Sequence, residues 1–169
     1  KPTTGKQTEI GIKYQPAGFD GYFSVAAFDL KQQNVLTNTT VPGVGTFSSQ
    51  IGQVKVQGVE LEGVASIAEG VNLRAAYTYL DAEIVGGDNN GNRPANTPEN
   101  TASLWVDYTF GEDTTLSGLT VGGGVRYVGD RYGTNGNGIR LDGNTLLDAG
   151  IKYERNGYKA SLNVTNLTD

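Results

Sequence analysis

Hydrophobic and polar residues alternate along most of the chain, which is the pattern of β-strands whose two faces meet different surroundings. In residues 71–79 the odd positions are apolar or aromatic, whereas the even positions are polar or small. The same period of two recurs in residues 59–67, 104–110, 147–153 and 158–164. The pattern predicts eight strands and no helix, at about residues 6–15, 21–36, 48–67, 71–85, 101–110, 119–129, 144–154 and 158–167.

The connections between these strands alternate in length. The first, third, fifth and seventh are the compact segments "QPAGF", "AEG", "GEDTTLSG" and "RNG". The second, fourth and sixth are long, over residues 37–47, 86–100 and 130–143. In an up-and-down sheet all the short connections therefore lie at one end, and all the long connections lie at the other. Outer-membrane barrels have this asymmetry, with short periplasmic turns and long extracellular loops.

The two faces differ in composition. Charged residues occupy the polar face in mid-strand, namely Glu60, Glu62, Arg74, Asp107, Arg126, Asp148 and Lys152. Aromatic residues lie on the apolar face near strand ends, namely Tyr14, Tyr77, Tyr79, Tyr108, Phe110, Tyr127 and Tyr153. Such placement suits the aromatic girdles of a membrane barrel, and it also suits the core of a soluble β-sandwich.

Composition narrows the possible functions. The chain has no cysteine, histidine or methionine, which removes disulfides, thiol nucleophiles, histidine acid–base catalysis and the usual zinc sites. A net charge of −5 argues against nucleic-acid binding. The chain has no run of about eighteen apolar residues, so the sequence predicts no transmembrane helix. No nucleophile–base pair is apparent, so we expect no enzyme activity.

Seven stretches, in order along the chain, resemble the C-terminal barrel of TonB-dependent siderophore receptors, most closely the ferric-hydroxamate (ferrichrome-type) branch. They are "KPTTGKQTEIGIKYQP", "GYFSVAAFDLKQQNVLT", "VQGVELEG", "NLRAAYTYLDAEI", "GNRPANTPENTASLWVDYTF", "LTVGGGVRYVGDRYG" and "LNVTNLTD". The resemblance implies an antiparallel outer-membrane barrel of about 22 strands with a plug folded inside it. It also implies import of ferric siderophores, powered by TonB from the inner membrane.

Set against that family, residues 1–169 are expected to be a C-terminal barrel segment of about eight strands. The final strand, the earlier strands and the N-terminal plug with its TonB-contacting segment are then absent from the chain. The implied partners are a ferric siderophore, outer-membrane lipid and lipopolysaccharide, and TonB acting through the plug. Iron arrives already chelated, so no cofactor held by protein side chains is expected.

Five residues are candidates for siderophore binding: Arg93, Trp105, Arg126, Arg131 and Tyr132. An aromatic side chain beside a cation suits a ferric hydroxamate or an anionic siderophore. Trp105 falls on the polar face unless a one-residue bulge returns it to the apolar face. The clustered glycines 122–124 are expected to relieve crowding at a bend or bulge.

Two other architectures remain open at this stage. One is a small closed barrel of eight strands with a structural or adhesive role and no transport. The other is a soluble β-sandwich that acts as a binding module. In the closed barrel the charged residues must pair within a narrow bore, and in the sandwich the apolar face is a dry core.

Overall fold

The computed structural model describes residues 2–41 and 43–168, and their regular structure is entirely β. None of these residues forms a helix able to cross a membrane. The strands are β1 (Thr4–Tyr14), β2 (Gly21–Val41), β3 (Gly45–Ala68), β4 (Val71–Val85), β5 (Asn100–Thr109), β6 (Leu119–Val128), β7 (Arg131–Tyr132), β8 (Arg140–Leu141), β9 (Asn144–Arg155) and β10 (Tyr158–Val164).

Eight of the strands form one antiparallel meander in the order β1-β2-β3-β4-β5-β6-β9-β10. The two-residue strands β7 and β8 make a separate small ladder. Strands β1 and β10 lie at opposite edges, and within the described residues no ladder joins them. The predicted meander is confirmed. The closed eight-stranded barrel and the two-sheet sandwich do not match this topology.

Two connections differ from the prediction. The expected long loop at residues 37–47 is wrong, because β2 continues to Val41 and β3 begins at Gly45, so the hairpin is tight. Residue 42, between them, lies outside the described part of the chain. The connection at residues 130–143 contains the β7–β8 ladder, in which Arg131 pairs with Leu141. Two-residue strands are too short to produce a recognisable alternation.

The ladder registers place the apolar residues of all eight main strands on one face. Leu73 lies opposite Val106, and Ala75 lies opposite Leu104. We call this side the apolar face. Its large side chains are exposed, and the exposed fraction reaches 77% for Ile10. They include Ile10, Ile12, Val25, Leu61, Leu104, Val106, Val121, Leu147, Ile151, Leu162 and Val164.

Aromatic side chains border the apolar face at its two ends. Tyr77, Tyr79 and Tyr127 lie towards the long connections, and Tyr77 donates a hydrogen bond to Asn100 Oδ1 at 2.6 Å. Tyr14, Phe23, Tyr108, Tyr153 and Tyr158 lie towards the short turns. The predicted aromatic placement on the apolar face is thus confirmed for Tyr14, Tyr77, Tyr79, Tyr108, Tyr127 and Tyr153.

The apolar face ends abruptly on the side of the long connections. Ile10, Ala27, Val59 and Tyr79 form its last cross-strand row. The next row on the same face is Thr8, Asp29, Gln57 and Asp81. Beyond this row the buried apolar residues lie on the opposite face of the sheet, namely Val54, Ala82 and Ile84. The sequence thus limits the apolar face to a belt, from which the long hairpins project.

Candidate functional site

Trp105 lies on the polar face, opposite the belt. The β4–β5 and β5–β6 ladders run through it without a register shift, pairing it with Arg74 and Gly124, so no bulge returns it to the apolar face. Its indole covers three glycines of β6 and β9. A Cβ atom on Gly124 would stand 2.6 Å from the ring, on Gly122 2.8 Å and on Gly150 3.2 Å.

These glycines are therefore a floor for the indole. The expectation of a bend or bulge at residues 122–124 is wrong, since this stretch pairs regularly with both neighbouring strands. Gly122 and Gly124 face the indole because the strand period is two, whereas Gly123 points to the apolar face. The spacing of the glycines in the sequence indicated that a large group lies over this part of the sheet. Only the strand register shows that this group is the ring of Trp105.

Asp107 is the hydrogen-bonding centre beside this indole. Its buried carboxylate accepts bonds from Asn72 Nδ2 at 2.9 Å, Arg74 Nη1 at 3.2 Å and Trp105 Nε1 at 3.2 Å. Three donors from two strands thus bond to the Asp107 carboxylate, and one of these bonds fixes the orientation of the Trp105 ring. Buried polar groups are normally hydrogen-bonded in this way.

Arg126 forms the second ion pair of the polar face. Its guanidinium binds the Asp148 carboxylate through two hydrogen bonds, of 2.5 and 3.0 Å, and the backbone N–H of Asn166 donates to the same carboxylate at 3.1 Å. Trp105 and Arg126 line one shallow cavity of about 260 Å³, together with Glu62, Arg74 and Asp148. Two carboxylates of the polar face, those of Asp107 and Asp148, thus pair with arginines.

The connection at residues 86–99 folds back along β4. Ile84 donates its N–H to the Asn92 carbonyl at 2.8 Å, and Gly91 donates to the Ile84 carbonyl at 2.9 Å. Ile84 is completely buried, at 0% exposure. A cavity of about 280 Å³ separates Pro94, Ala95 and Thr97 of this connection from Val54 and Val56 of β3. The loop is therefore anchored and ordered by backbone hydrogen bonds.

Two asparagines of the next long connection fasten it to this loop. Asn137 accepts from the Arg93 N–H at 2.9 Å and donates to the Arg93 carbonyl at 2.8 Å. Asn135 accepts from the Ala95 N–H at 2.9 Å. We call these contacts the loop clasp. Sequence reasoning missed both asparagines, because a loop rich in Asn and Gly does not reveal which amides bridge to another loop.

Arg93 and Tyr132 line a second cavity, of about 420 Å³, with Asp81, Glu99 and Arg140. The Arg93 guanidinium pairs with the Glu99 carboxylate. This hydrogen bond raises the pKa of Arg93 above its ordinary value, against the opposing effect of partial burial. Arg131 precedes Tyr132 in β7, and its buried Nη1 atom has no hydrogen-bond partner among the described residues.

The structure thus divides the five candidate residues into two places. Trp105 and Arg126 lie together on the polar face, and Arg93, Arg131 and Tyr132 belong to the two clasped connections. Of these cations, Arg93 and Arg126 are already paired with carboxylates. The described residues contain no group of three or more acidic, histidine or cysteine side chains that could hold a metal ion.

Comparisons with known proteins place these features in one family. Residues 1–167 match the family model for the TonB dependent receptor-like β-barrel. The chain is 38% identical, over 99% of its length, to the ferrichrome outer membrane transporter/phage receptor of Escherichia coli. It is 36% identical, over its whole length, to the ferrioxamine receptor of Yersinia enterocolitica.

The structural comparison agrees. The crystal structure of the siderophore receptor PiuA from Acinetobacter baumannii matches 98% of the chain with a TM-score of 0.71 and 29% identity. The match covers 24% of that receptor, and the chain spans 23 and 24% of the two relatives named above. The sheet is therefore equivalent to part of a larger barrel wall, and the chain belongs to the TonB-dependent receptor β-barrel family.

Proposed function

We propose that the protein containing this chain imports ferric siderophores across the bacterial outer membrane, with energy delivered by TonB. In this proposal residues 1–169 belong to the C-terminal part of the barrel domain, preceded in the full protein by a plug that contacts TonB. The observation that supports it best is the division of one meander into an exposed apolar belt and a hydrogen-bonded polar face, with elaborated connections at one end. The names of the relatives supply the ligand class.

Within this function the belt contacts lipid and the polar face lines the interior of the barrel. A membrane-spanning strand needs about 9–11 residues, and the belt on β4 runs from Val71 to Tyr79. The polar face would then contact water and the plug. The ion pairs of Arg74 and Arg126 suit such an interior, because each cation is already satisfied by a carboxylate.

We further propose that the siderophore is bound by Arg93, Trp105, Arg126, Arg131 and Tyr132. Two kinds of contact support this. Trp105 offers a flat aromatic surface supported by glycines, while Arg131 carries a buried guanidinium nitrogen with no protein partner in the described structure. Aromatic rings and arginines suit a compact chelate that bears carbonyl and hydroxamate oxygens.

Uptake of iron-labelled ferrichrome and ferrioxamine B into iron-starved cells tests the transport proposal. Cells that carry the full-length gene should accumulate the label. Accumulation should stop when either this gene or the TonB gene is deleted. Uptake that continues without this gene, or that does not depend on TonB, would reject the proposal.

A pair of tyrosine variants tests the binding residues. Tyr132→Ala removes a ring at the clasped connections, so we expect siderophore binding to weaken by about 5- to 30-fold, the equivalent of about 1–2 kcal/mol. Tyr79→Ala is the matched control, since Tyr79 lies on the apolar face near the same end of the sheet. Equal effects of the two substitutions would remove Tyr132 from the binding site.

A further inference from the structure

The hydrogen-bonded edge of β4 has a gap at Ala82, beyond the belt. On the side of β5, Leu80 donates its N–H to the Glu99 carbonyl at 2.8 Å, and Ile84 donates to the Asn92 carbonyl at 2.8 Å. Alternate residues of an antiparallel strand direct their backbone groups to the same side. Ala82 stands between Leu80 and Ile84, so its N–H and its carbonyl point to this side as well.

Among the described residues neither of these two backbone groups has a hydrogen-bond partner. The reason is the path of the neighbouring chain, because β5 begins only at Asn100 and Pro94, Ala95 and Thr97 lie on the side of the polar face. Ala82 is only 5% exposed. Buried backbone groups are nearly always paired, so the gap is a place where an added molecule could complete the edge.

The gap opens into the cavity of about 420 Å³ described above, which Ala82 lines together with Arg93, Tyr132 and Arg140. This volume lies within the range of ligand pockets, about 300–1,000 Å³. A strand edge pairs with a group that carries both a carbonyl acceptor and an N–H donor, as added peptide strands do. The smallest such group is a secondary amide.

The charges around the cavity select among ligands. Four carboxylates and two arginines line it. Each arginine is already paired, Arg93 with Glu99 and Arg140 with Asp130, the second pair at 3.0 Å. The other two carboxylates are on β4, where only Glu83 stands opposite a lysine. The cavity is therefore slightly acidic, and it suits a neutral or cationic ligand better than an anionic one.

We infer that this gap binds a secondary amide of a ferric trihydroxamate siderophore, with the Ala82 N–H donating to the amide carbonyl and the Ala82 carbonyl accepting from the amide N–H. Three hydroxamates cancel the charge of ferric iron, so the chelate itself is neutral, whereas a ferric tricatecholate is strongly anionic. The inference rests on the proposed siderophore import. It adds a recognition element that the backbone supplies.

The first test measures hydrogen–deuterium exchange of single amides in the full-length receptor. The probes are ferrichrome and ferrioxamine B, two trihydroxamates that contain secondary amides, and a ferric tricatecholate for comparison. In the free receptor the Ala82 amide should exchange at least tenfold faster than the bonded amides of Leu80 and Ile84. A saturating trihydroxamate should slow exchange at Ala82 at least tenfold, and the tricatecholate should leave it unchanged.

The second test removes the donor. Ala82→Pro deletes the N–H, and proline is tolerated where a strand N–H lies outside the ladder. Ala82→Val is the matched control, since it adds a similar volume and keeps the N–H. The cavity of about 280 Å³ that Ala82 also lines gives both side chains room. By calorimetric titration the proline variant should bind the trihydroxamate about 5- to 10-fold more weakly, as expected for one lost hydrogen bond, and the valine variant should bind as the native receptor does.

Slow exchange at Ala82 in the free receptor, or no slowing when a trihydroxamate is bound, would overturn the inference, whether or not the variants fold. Equal weakening by the two substitutions would also overturn it, because the effect would then come from added volume. Slowing by the tricatecholate would overturn the assignment of the ligand class.

Uptake of the same siderophores separates this inference from the proposed function. Normal TonB-dependent uptake of a trihydroxamate without protection of Ala82 would reject the gap as a binding site and leave the transport proposal intact. Absence of uptake by cells that carry the native receptor would reject the transport proposal, while exchange at Ala82 would still report whether the trihydroxamate binds there.

Discussion

At the residue scale, the central packing feature is one indole that rests on three glycines. Glycine weakens a strand because it has more conformational freedom to lose, so three glycines around Trp105 need a structural reason. The distances supply one, because a methyl group at Gly122 or Gly124 would overlap the ring. The same indole donates to Asp107, which also accepts from Asn72 and Arg74.

The glycine floor gives a prediction with a built-in control. Gly124→Ala forces Trp105 from its place, because the new Cβ would stand 2.6 Å from the ring and 2.7 Å from a backbone oxygen. We expect unfolding free energy to fall by about 1–3 kcal/mol, as in other overpacked sites. Urea unfolding of the full-length protein in detergent provides the measurement.

The adjacent glycine is the control for this substitution. A Cβ on Gly123 meets nothing closer than the Asp148 carbonyl at 3.6 Å, an ordinary contact. Gly123→Ala should therefore be neutral or slightly stabilising. A similar loss from both substitutions would show that strand flexibility, and not space for Trp105, explains the glycines.

Sequence reasoning reached part of this residue-scale account. The alternation placed Trp105 and Asp107 on the polar face correctly, because a period of two leaves little freedom once the strand is known. It could not place the indole over Gly122 and Gly124, since that contact depends on the register between two strands. Arg126 could be assigned to a face but not to Asp148 for the same reason.

At the element scale, the loop clasp joins two connections that are far apart in sequence. Asn137 bonds both the N–H and the carbonyl of Arg93, and it does so with a positive φ of 53°. Asparagine tolerates this backbone conformation better than most residues. The clasp therefore uses one residue for both the turn and the bridge, and it restrains residues 86–99 and 130–143 together.

Asn137→Ala removes both side-chain bonds to Arg93. At about 1 kcal/mol for each hydrogen bond, we expect local opening of both connections to become about 5- to 30-fold more frequent. Hydrogen–deuterium exchange on the full-length protein measures this opening in each connection separately.

Asn90→Ala is the matched control for the clasp. Asn90 accepts from the Gly86 N–H at 2.7 Å within its own connection, so its loss should raise exchange in residues 86–99 and leave residues 130–143 unchanged. Unchanged exchange in residues 130–143 after Asn137→Ala would mean that the two connections are held independently.

Element boundaries show where the sequence was insufficient. Residues 37–47 combine threonines with Asn, Pro and Gly, a composition typical of loops. Yet Leu36 to Val41 pairs with Gly45 to Gln50 as a continuation of the hairpin. Strand pairing overrode local composition there. The alternating lengths of the connections predicted that the chain extends much further at one end of the sheet than at the other. The structure agrees, but the second connection extends that end as a long hairpin and not as a loop.

At the scale of the whole molecule, one sheet separates two environments. The belt carries exposed aliphatic residues bordered by tyrosines, and the opposite face carries ion pairs. Members of this family are outer-membrane receptors and not enzymes, as the sequence predicted. A soluble protein with the same exposed belt would be expected to aggregate.

Two neighbouring alanines test which face meets lipid. Ala75 lies on the apolar face opposite Leu104, whereas Ala76 lies on the polar face opposite Glu62 and Ser103. Ala75→Arg should cost about 2–4 kcal/mol of stability in a bilayer, the cost of an arginine near the midplane of the lipid face. Ala76→Arg should cost little, because Glu62 can pair with it.

Equilibrium unfolding of the two arginine variants in phospholipid vesicles compares them directly. Equal losses would contradict the assignment of faces. A larger loss from Ala76→Arg would invert it.

The most direct test of the central claim is a cysteine scan along β4 and β5, read by electron paramagnetic resonance in a lipid bilayer. The chain contains no cysteine, so each position of residues 71–79 and 102–108 can be spin-labelled without a competing thiol from this segment. The account predicts high accessibility to oxygen, which concentrates among acyl chains, at Leu73, Ala75, Leu104 and Val106. The intervening positions should show low oxygen accessibility. Maxima at Arg74 and Trp105, or no alternation at all, would contradict it.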